Sequence, residues 1–100
     1  MTFYSMDLFE CPADATGDQL RNLGAGLTEV CSLSHHARDW GPYRLARWAE
    51  GRSMRDHWVD GAWVRVEASP EDVRAFFREL GEPPPPLHPD RRYLIQAEEF

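Results

Sequence analysis

Asp60-Gly61, set between Met54–Val59 and Ala62–Ala68, commits the middle of the chain to a β-hairpin, because this dipeptide accepts the positive φ angles of the tight turns that match strand twist. In the second arm Val64, Val66 and Ala68 alternate with Trp63, Arg65 and Glu67, which predicts one buried and one wet face. Two strands cannot bury such a face by themselves, so neighbouring segments must cover it. A cover is signposted directly downstream. Ser69 is placed as N-cap, Pro70 at the first helical position, and Glu71 and Asp72 at the positive end of the helix dipole. Val73, Phe76, Phe77 and Leu80 then form one stripe that Gly81 ends. Pro83 to Pro86 prevents continuation and advances about 3.1 Å per residue as a polyproline segment, after which Arg92 to Ala97 reads as a last strand.

Upstream, Thr2 to Phe9 sets Tyr4, Met6 and Leu8 against Phe3, Ser5, Asp7 and Phe9, the period of a strand, with Cys11-Pro12 as a turn. Thr16 and Gln19 match a capping box, and Leu20, Leu23, Leu27, Val30 and Cys31 recur at helical steps, so a helix is expected there. Gly24 and Gly26 weaken it by roughly 1 kcal/mol each. Ser32 to Pro42 reads as an irregular connector, and Pro42 opens a short helix with Leu45, Trp48 and Ala49 inward and Gly51 as its stop. The order reduces to β-α-β-β-α-β with one inserted short helix, the ferredoxin-like or split βαβ plan of an α+β fold. A barstar-like three-stranded parallel sheet is the alternative if Met54 to Val59 is loop. One hundred residues support one core, so residues 1–100 are expected to form a single domain.

All 11 basic residues are arginine, and a chain without lysine cannot carry a Walker phosphate loop, a Schiff-base lysine or an S-x-x-K acyl-transfer site. The net charge of -6, with no clustered run of arginines, opposes nucleic-acid binding, which draws its affinity from a positive footprint. The same charge suits a protein partner that is itself basic. No stretch approaches about 20 apolar residues, and the start lacks the basic and apolar regions of a secretory signal, so neither membrane nor export is expected. Cys11 and Cys31 form no C-x-x-C pair and read as reduced thiols of a cytoplasmic protein.

Several constellations invite chemistry. Ser32, Ser34, His35 and His36 could supply a nucleophile and base, but no nucleophile elbow surrounds them, and adjacent histidines point about 100° apart on a helix. Cys31 and His35 stand four apart, a metal spacing only if that segment is helical and His57, His88, Cys11 or carboxylates complete the set. No second spaced pair exists, so neither metal nor cofactor is expected. Of the carboxylate pairs, Glu71 and Asp72 belong to a helix start, Glu98 and Glu99 to the chain end, and Asp7 and Glu10 have no dry cleft assigned. The Pro83–Pro86 run could dock in an aromatic groove, but reads first as a stiff connector.

Four tryptophans exceed what the helical stripes need. Trp48 has a core position, whereas Trp40, Trp58 and Trp63 fall in a loop and around the hairpin, beside Asp39, His57, Arg65 and Glu67. Aromatics with arginine dominate interface energy, so these seven residues are the expected partner contact. The plainer alternative is that Trp58 and Trp63 pair across the hairpin. The expected function is a non-enzymatic protein-binding module, of the kind by which an immunity or antitoxin protein blocks its partner. The competing expectation is a dimeric ferredoxin-like ligand carrier or cofactor-free enzyme. It would have a pocket lined by Tyr4, Met6, Trp58 and Tyr93 and a proton-transfer group at His35, His36 or His57.

Overall fold

Trp63 to Ala68, where the alternation is cleanest, lies within a five-stranded antiparallel sheet. The computed structural model describes residues 3–12, 14, 27–52, 56–59 and 63–99, with the backbone alone for 56–59. The strands are β1 (Tyr4–Cys11), β2 (Thr28–Ser32), β3 (Asp56–Val59), β4 (Trp63–Ala68) and β5 (Arg92–Glu99), in the spatial order β2-β1-β5-β4-β3. Among the described residues two helices, α1 (Ala37–Gly51) and α2 (Pro70–Leu80), join the sheet in an α+β fold. No helix among the described residues is long and apolar enough to cross a membrane.

Alternation decides which face the helices cover. Met6 and Leu8 of β1, Val64, Val66 and Ala68 of β4, and Tyr93, Ile95 and Ala97 of β5 pack against Leu45, Ala46 and Ala49 of α1 and Val73, Phe76 and Phe77 of α2. Each fully buried aliphatic or phenyl side chain in that layer contributes about 1.5–3 kcal/mol. The second face is not simply wet, as the hairpin pattern implied. Arg65 is only 2% exposed there, Gln96 is buried beside it, and Cys11 and Leu94 form a small apolar cluster with Phe9 and Leu27. Arg65 Nε donates to Gln96 Oε1 at 2.6 Å, and the guanidinium lies 3.8 Å from the centre of the Trp63 ring. Burial pulls the Arg65 pKa down to about 10, so it stays charged at neutral pH.

The strand order departs from the ferredoxin-like plan, in which the last strand flanks the first at the edge. Here β5 lies in the centre, between β1 and β4. The proline run accounts for this. An 11-residue helix advances about 16 Å, and six extended residues from Pro83 to His88 return about 19 Å. The chain therefore re-enters the sheet where β4 ended, with Tyr93 opposite Ala68, and pairs antiparallel with it. The parallel three-stranded alternative is excluded by the same antiparallel register. The hairpin pairs Val59 with Trp63 and Trp58 with Val64, so the two tryptophans are not cross-strand partners. The Asp60-Gly61 turn itself lies outside the described residues.

The first helix expected from the sequence ends differently. Residues 16–26 lie outside the described set, while Thr28 to Ser32, carrying Val30 and Cys31 of the supposed stripe, is an edge strand on β1. Thr and Val favour a pleated surface, and the register passes from Leu8↔Cys31 to Phe9↔Glu29, leaving Val30 as a bulge. β1 also extends through Cys11, which is a strand residue and not part of a turn.

The connector is ordered as well. Ser34 to His36 forms a 3₁₀ turn, and α1 begins at Ala37 with a break at Gly41, after which Pro42 starts the longer segment as expected. Gly41 has φ 44° and ψ 170°, a region essentially reserved for glycine. A Cβ at this position would lie 3.3 Å from Tyr4 Cε1. Gly41→Ala is expected to cost about 1–3 kcal/mol, read as a lower urea midpoint; an unchanged midpoint would contradict the assigned backbone.

α2 carries the termini read from the sequence. Ser69 accepts from the Asp72 N–H at 3.1 Å, Asp72 accepts from the Ser69 N–H at 3.3 Å, and Gly81 closes the helix at φ 74°.

Candidate functional site

The outer side of α1 repeats one spacing. Arg44 lies over the Trp40 ring at 4.3 Å, Arg52 over Trp48 at 5.0 Å and Arg47 over Tyr43 at 5.7 Å. Each cation stands four residues after its aromatic; for Tyr43 and Arg47, both inside the longer segment, this is the separation that stacks side chains on one helix face, whereas Trp40 and Arg44 meet across the break at Gly41 and Arg52 caps the helix end. Beneath this layer the rings of Trp40 and Trp48 each lie 5.0 Å from that of Phe76, edge to face. α2 thus holds the tryptophans, and the tryptophans hold the arginines out toward solvent.

Two adjoining open grooves result. One, of about 230 Å³, runs between Tyr4, Arg38 and Pro42, and the other, of about 370 Å³, between Arg47, Trp48 and Glu79; Trp40, Tyr43 and Arg44 line both. The large apolar side chains exposed among the described residues are Phe3, Tyr4 and Tyr43, the last at 69%. Two of the three line the first groove. Arg44 Nη1 donates to the Asp39 carbonyl at 2.8 Å, and Arg52 pairs with Glu79 at 3.5 Å. The Trp48 Nε1–H is buried at the wall of the second groove without a hydrogen-bond partner among the described residues.

The seven residues expected to meet a partner are dispersed. Trp40 and Asp39 line the first groove, but Trp40 is 5% exposed and presents an edge while its ring packs inward. Trp63 is half-buried against Arg65 on the far face of the sheet, and Glu67 pairs there with Arg92. The side chains of His57 and Trp58 lie outside the described set. Tyr43, Arg44 and Arg47 were missed, although the four-residue aromatic-to-arginine step after Pro42 is visible in the sequence.

The remaining constellations resolve individually. Ser32 and Ser34 bond to each other at 3.1 Å, and Ser34 to the Met6 backbone at 3.4 Å; neither hydroxyl meets a histidine among the described residues. His35 and His36 converge on Glu82, at 3.3 and 3.1 Å, despite the divergence expected of neighbours on a helix. Hydrogen bonding from His35 first, and then from His36, holds the Glu82 carboxyl below its ordinary pKa. Cys31 belongs to a strand, so the helical spacing that would have joined it to His35 is gone. Glu10 pairs with Arg91 at 3.4 Å, whereas the neighbouring Asp7 carboxyl favours the protonated form of Glu29, by hydrogen bonding to it first and by like charge, and so raises its pKa. Met6 and Tyr93 are core residues, with the Tyr93 hydroxyl accepting from the His88 N–H at 2.7 Å, whereas Tyr4 is exposed at the first groove and the Trp58 side chain lies outside the described set.

Both thiols are poor nucleophiles. Desolvation pushes Cys11 from an ordinary value near 9 up to about 11, and burial raises Cys31 as well. Iodoacetamide at pH 8 is expected to modify Cys11 at least about tenfold more slowly in the folded chain than in urea, because the raised pKa lowers the thiolate fraction by more than it raises thiolate nucleophilicity. Equal rates would contradict its burial. Comparison with family models, curated proteins and solved structures returned no match.

Proposed function

We propose that the chain is a protein-binding module that engages its partner through the corner formed by Tyr4, Tyr43, Arg44 and Arg47. The observation that carries this reading is the convergence of exposed tyrosines with stacked arginines around two adjoining open grooves. Tyrosine and arginine are the residue types that concentrate interface energy, and a side chain already stacked loses less freedom on binding. The partner is a protein that places an apolar side chain between the tyrosines and carboxylate or carbonyl oxygens against Arg44 and Arg47. The net charge of -6 favours encounter with a partner basic as a whole and disfavours a nucleic acid.

Occupation of a toxin or enzyme surface in the manner of an immunity or antitoxin protein is the form of binding we favour. Cys11 and Cys31 are both free, and their positions opposite Arg92 and Leu8 separate them by three strand steps, about 10 Å, beyond disulfide reach. Free thiols suit a reducing compartment, and we place the protein in the cytoplasm. The test is affinity purification of the tagged chain from its own lysate beside a Tyr43→Ala/Arg47→Ala variant. A stoichiometric protein recovered with the first and absent from the second supports the reading; recovery with both overturns it.

A further inference from the structure

We propose that His35, His36 and Glu82 bind a divalent first-row transition ion of the zinc type, through the two imidazole Nε2 atoms and a carboxylate oxygen. The three ligand atoms lie within 4.8 Å of one another, and Glu82 Oε1 is 3.3 Å from His35 Nε2 and 3.1 Å from His36 Nε2. Zinc bonds of about 2.0–2.2 Å at the tetrahedral angle separate neighbouring ligand atoms by about 3.3–3.5 Å, so two edges of the polyhedron stand near their final length. Two imidazoles and one carboxylate select zinc, nickel, cobalt or copper over magnesium and calcium, which take oxygen ligands.

His36 supplies a second indication. Its Nε2 is shut off from water, and among the described residues its near polar neighbour is Glu82 Oε1 at 3.1 Å, an atom it shares with His35. A cation shared with His35 and Glu82 satisfies it. The backbone on both sides is fixed in advance. Leu33 N–H donates to the Met6 carbonyl at 2.7 Å and His36 N–H to the Leu33 carbonyl at 2.9 Å, which pins the histidine turn to β1. Gly81 N–H donates to Arg78 and Glu82 N–H to Phe77, at 3.1 and 3.0 Å, the paired bonds that lock a helix end and with it the Glu82 backbone. The His35 side chain is 60% exposed, so the outer side of the site faces water, which supplies the fourth ligand. Bound there, the ion ties the turn after β2 to the end of α2.

The experiment titrates the whole untagged chain with cobalt(II), whose visible absorption reports tetrahedral coordination, and then displaces it with zinc(II). One ion per chain is expected, with affinity reduced at least about tenfold, the scale already reached by outer-sphere changes, in both His36→Gln and Glu82→Gln. His88→Ala, at an exposed histidine outside the cluster, is expected to bind as the parent does. Circular dichroism checks each fold, and exposed His35→Gln reads the same loss should His36→Gln not fold. Absence of a saturating cobalt spectrum, full affinity in the cluster variants, or loss of binding in His88→Ala overturns the proposal.

Discussion

Phe76→Ala is expected to destabilise the protein by about 3–5 kcal/mol, the cost of removing a buried phenyl ring and leaving its cavity. The ring is fully buried and stands 5.0 Å from both Trp40 and Trp48, at 69° and 64°, so its loss removes two edge-to-face contacts as well as apolar burial. Domains of this size have only about 5–15 kcal/mol in total. At about 4–8 °C per kcal/mol, the melting temperature should fall by at least about 12 °C. Arg74→Ala, on the exposed side of the same helix, should stay within about 0.5 kcal/mol of the parent. A Phe76→Ala cost below about 1 kcal/mol would mean that the helices do not pack through this ring.

The second large effect concerns binding. Tyr43→Ala and Arg47→Ala each remove a side chain of interface hot-spot type, for which truncation costs about 2 kcal/mol or more, roughly 30-fold in affinity. Because Arg47 stacks on Tyr43 at 5.7 Å, the two losses overlap, and the double variant is expected to bind on the order of 100-fold more weakly. Most of the change should appear in the dissociation rate. Both residues are exposed, so stability should move by no more than about 0.5 kcal/mol. That separation of binding from folding distinguishes a contact surface from a structural stack. A double variant that binds normally would remove the corner from the interface.

Local signals explain which parts of this fold could be read from the chain. The α2 termini were legible because Ser69, Pro70, Asp72 and Gly81 act on backbone groups within one turn. Pro42 at the start of the longer α1 segment was legible for the same reason. β2 was not, because Leu27, Val30 and Cys31 fit a helical step, and only pairing with β1 reveals the strand. The central place of β5 depends on the reach of the proline run, and a run's length alone does not say beside which strand the chain re-enters the sheet. Arg65 looked like an outward-facing position because alternation says nothing about whether the second face of a sheet is covered.

The candidate site divides along the same line. The aromatic and arginine steps on α1 are local and legible, whereas tryptophan content alone does not separate a surface ring from Trp40, which the fold buries, or Trp63, which lies on the opposite face. Glu82 had no local mark at all. Its meeting with His35 and His36 arises from the helix end at Gly81 being brought against the turn that follows β2.

The most direct measurement of the central claim is a photo-cross-linking residue placed at Tyr43 and, as a control, at exposed Glu71, which lies two helical turns, about 12 Å, along α2 from the groove residue Glu79. The account predicts that irradiation in the native lysate joins one protein to the chain from position 43 and little or none from position 71. A cross-link obtained equally from both positions, or from position 71 alone, would contradict it.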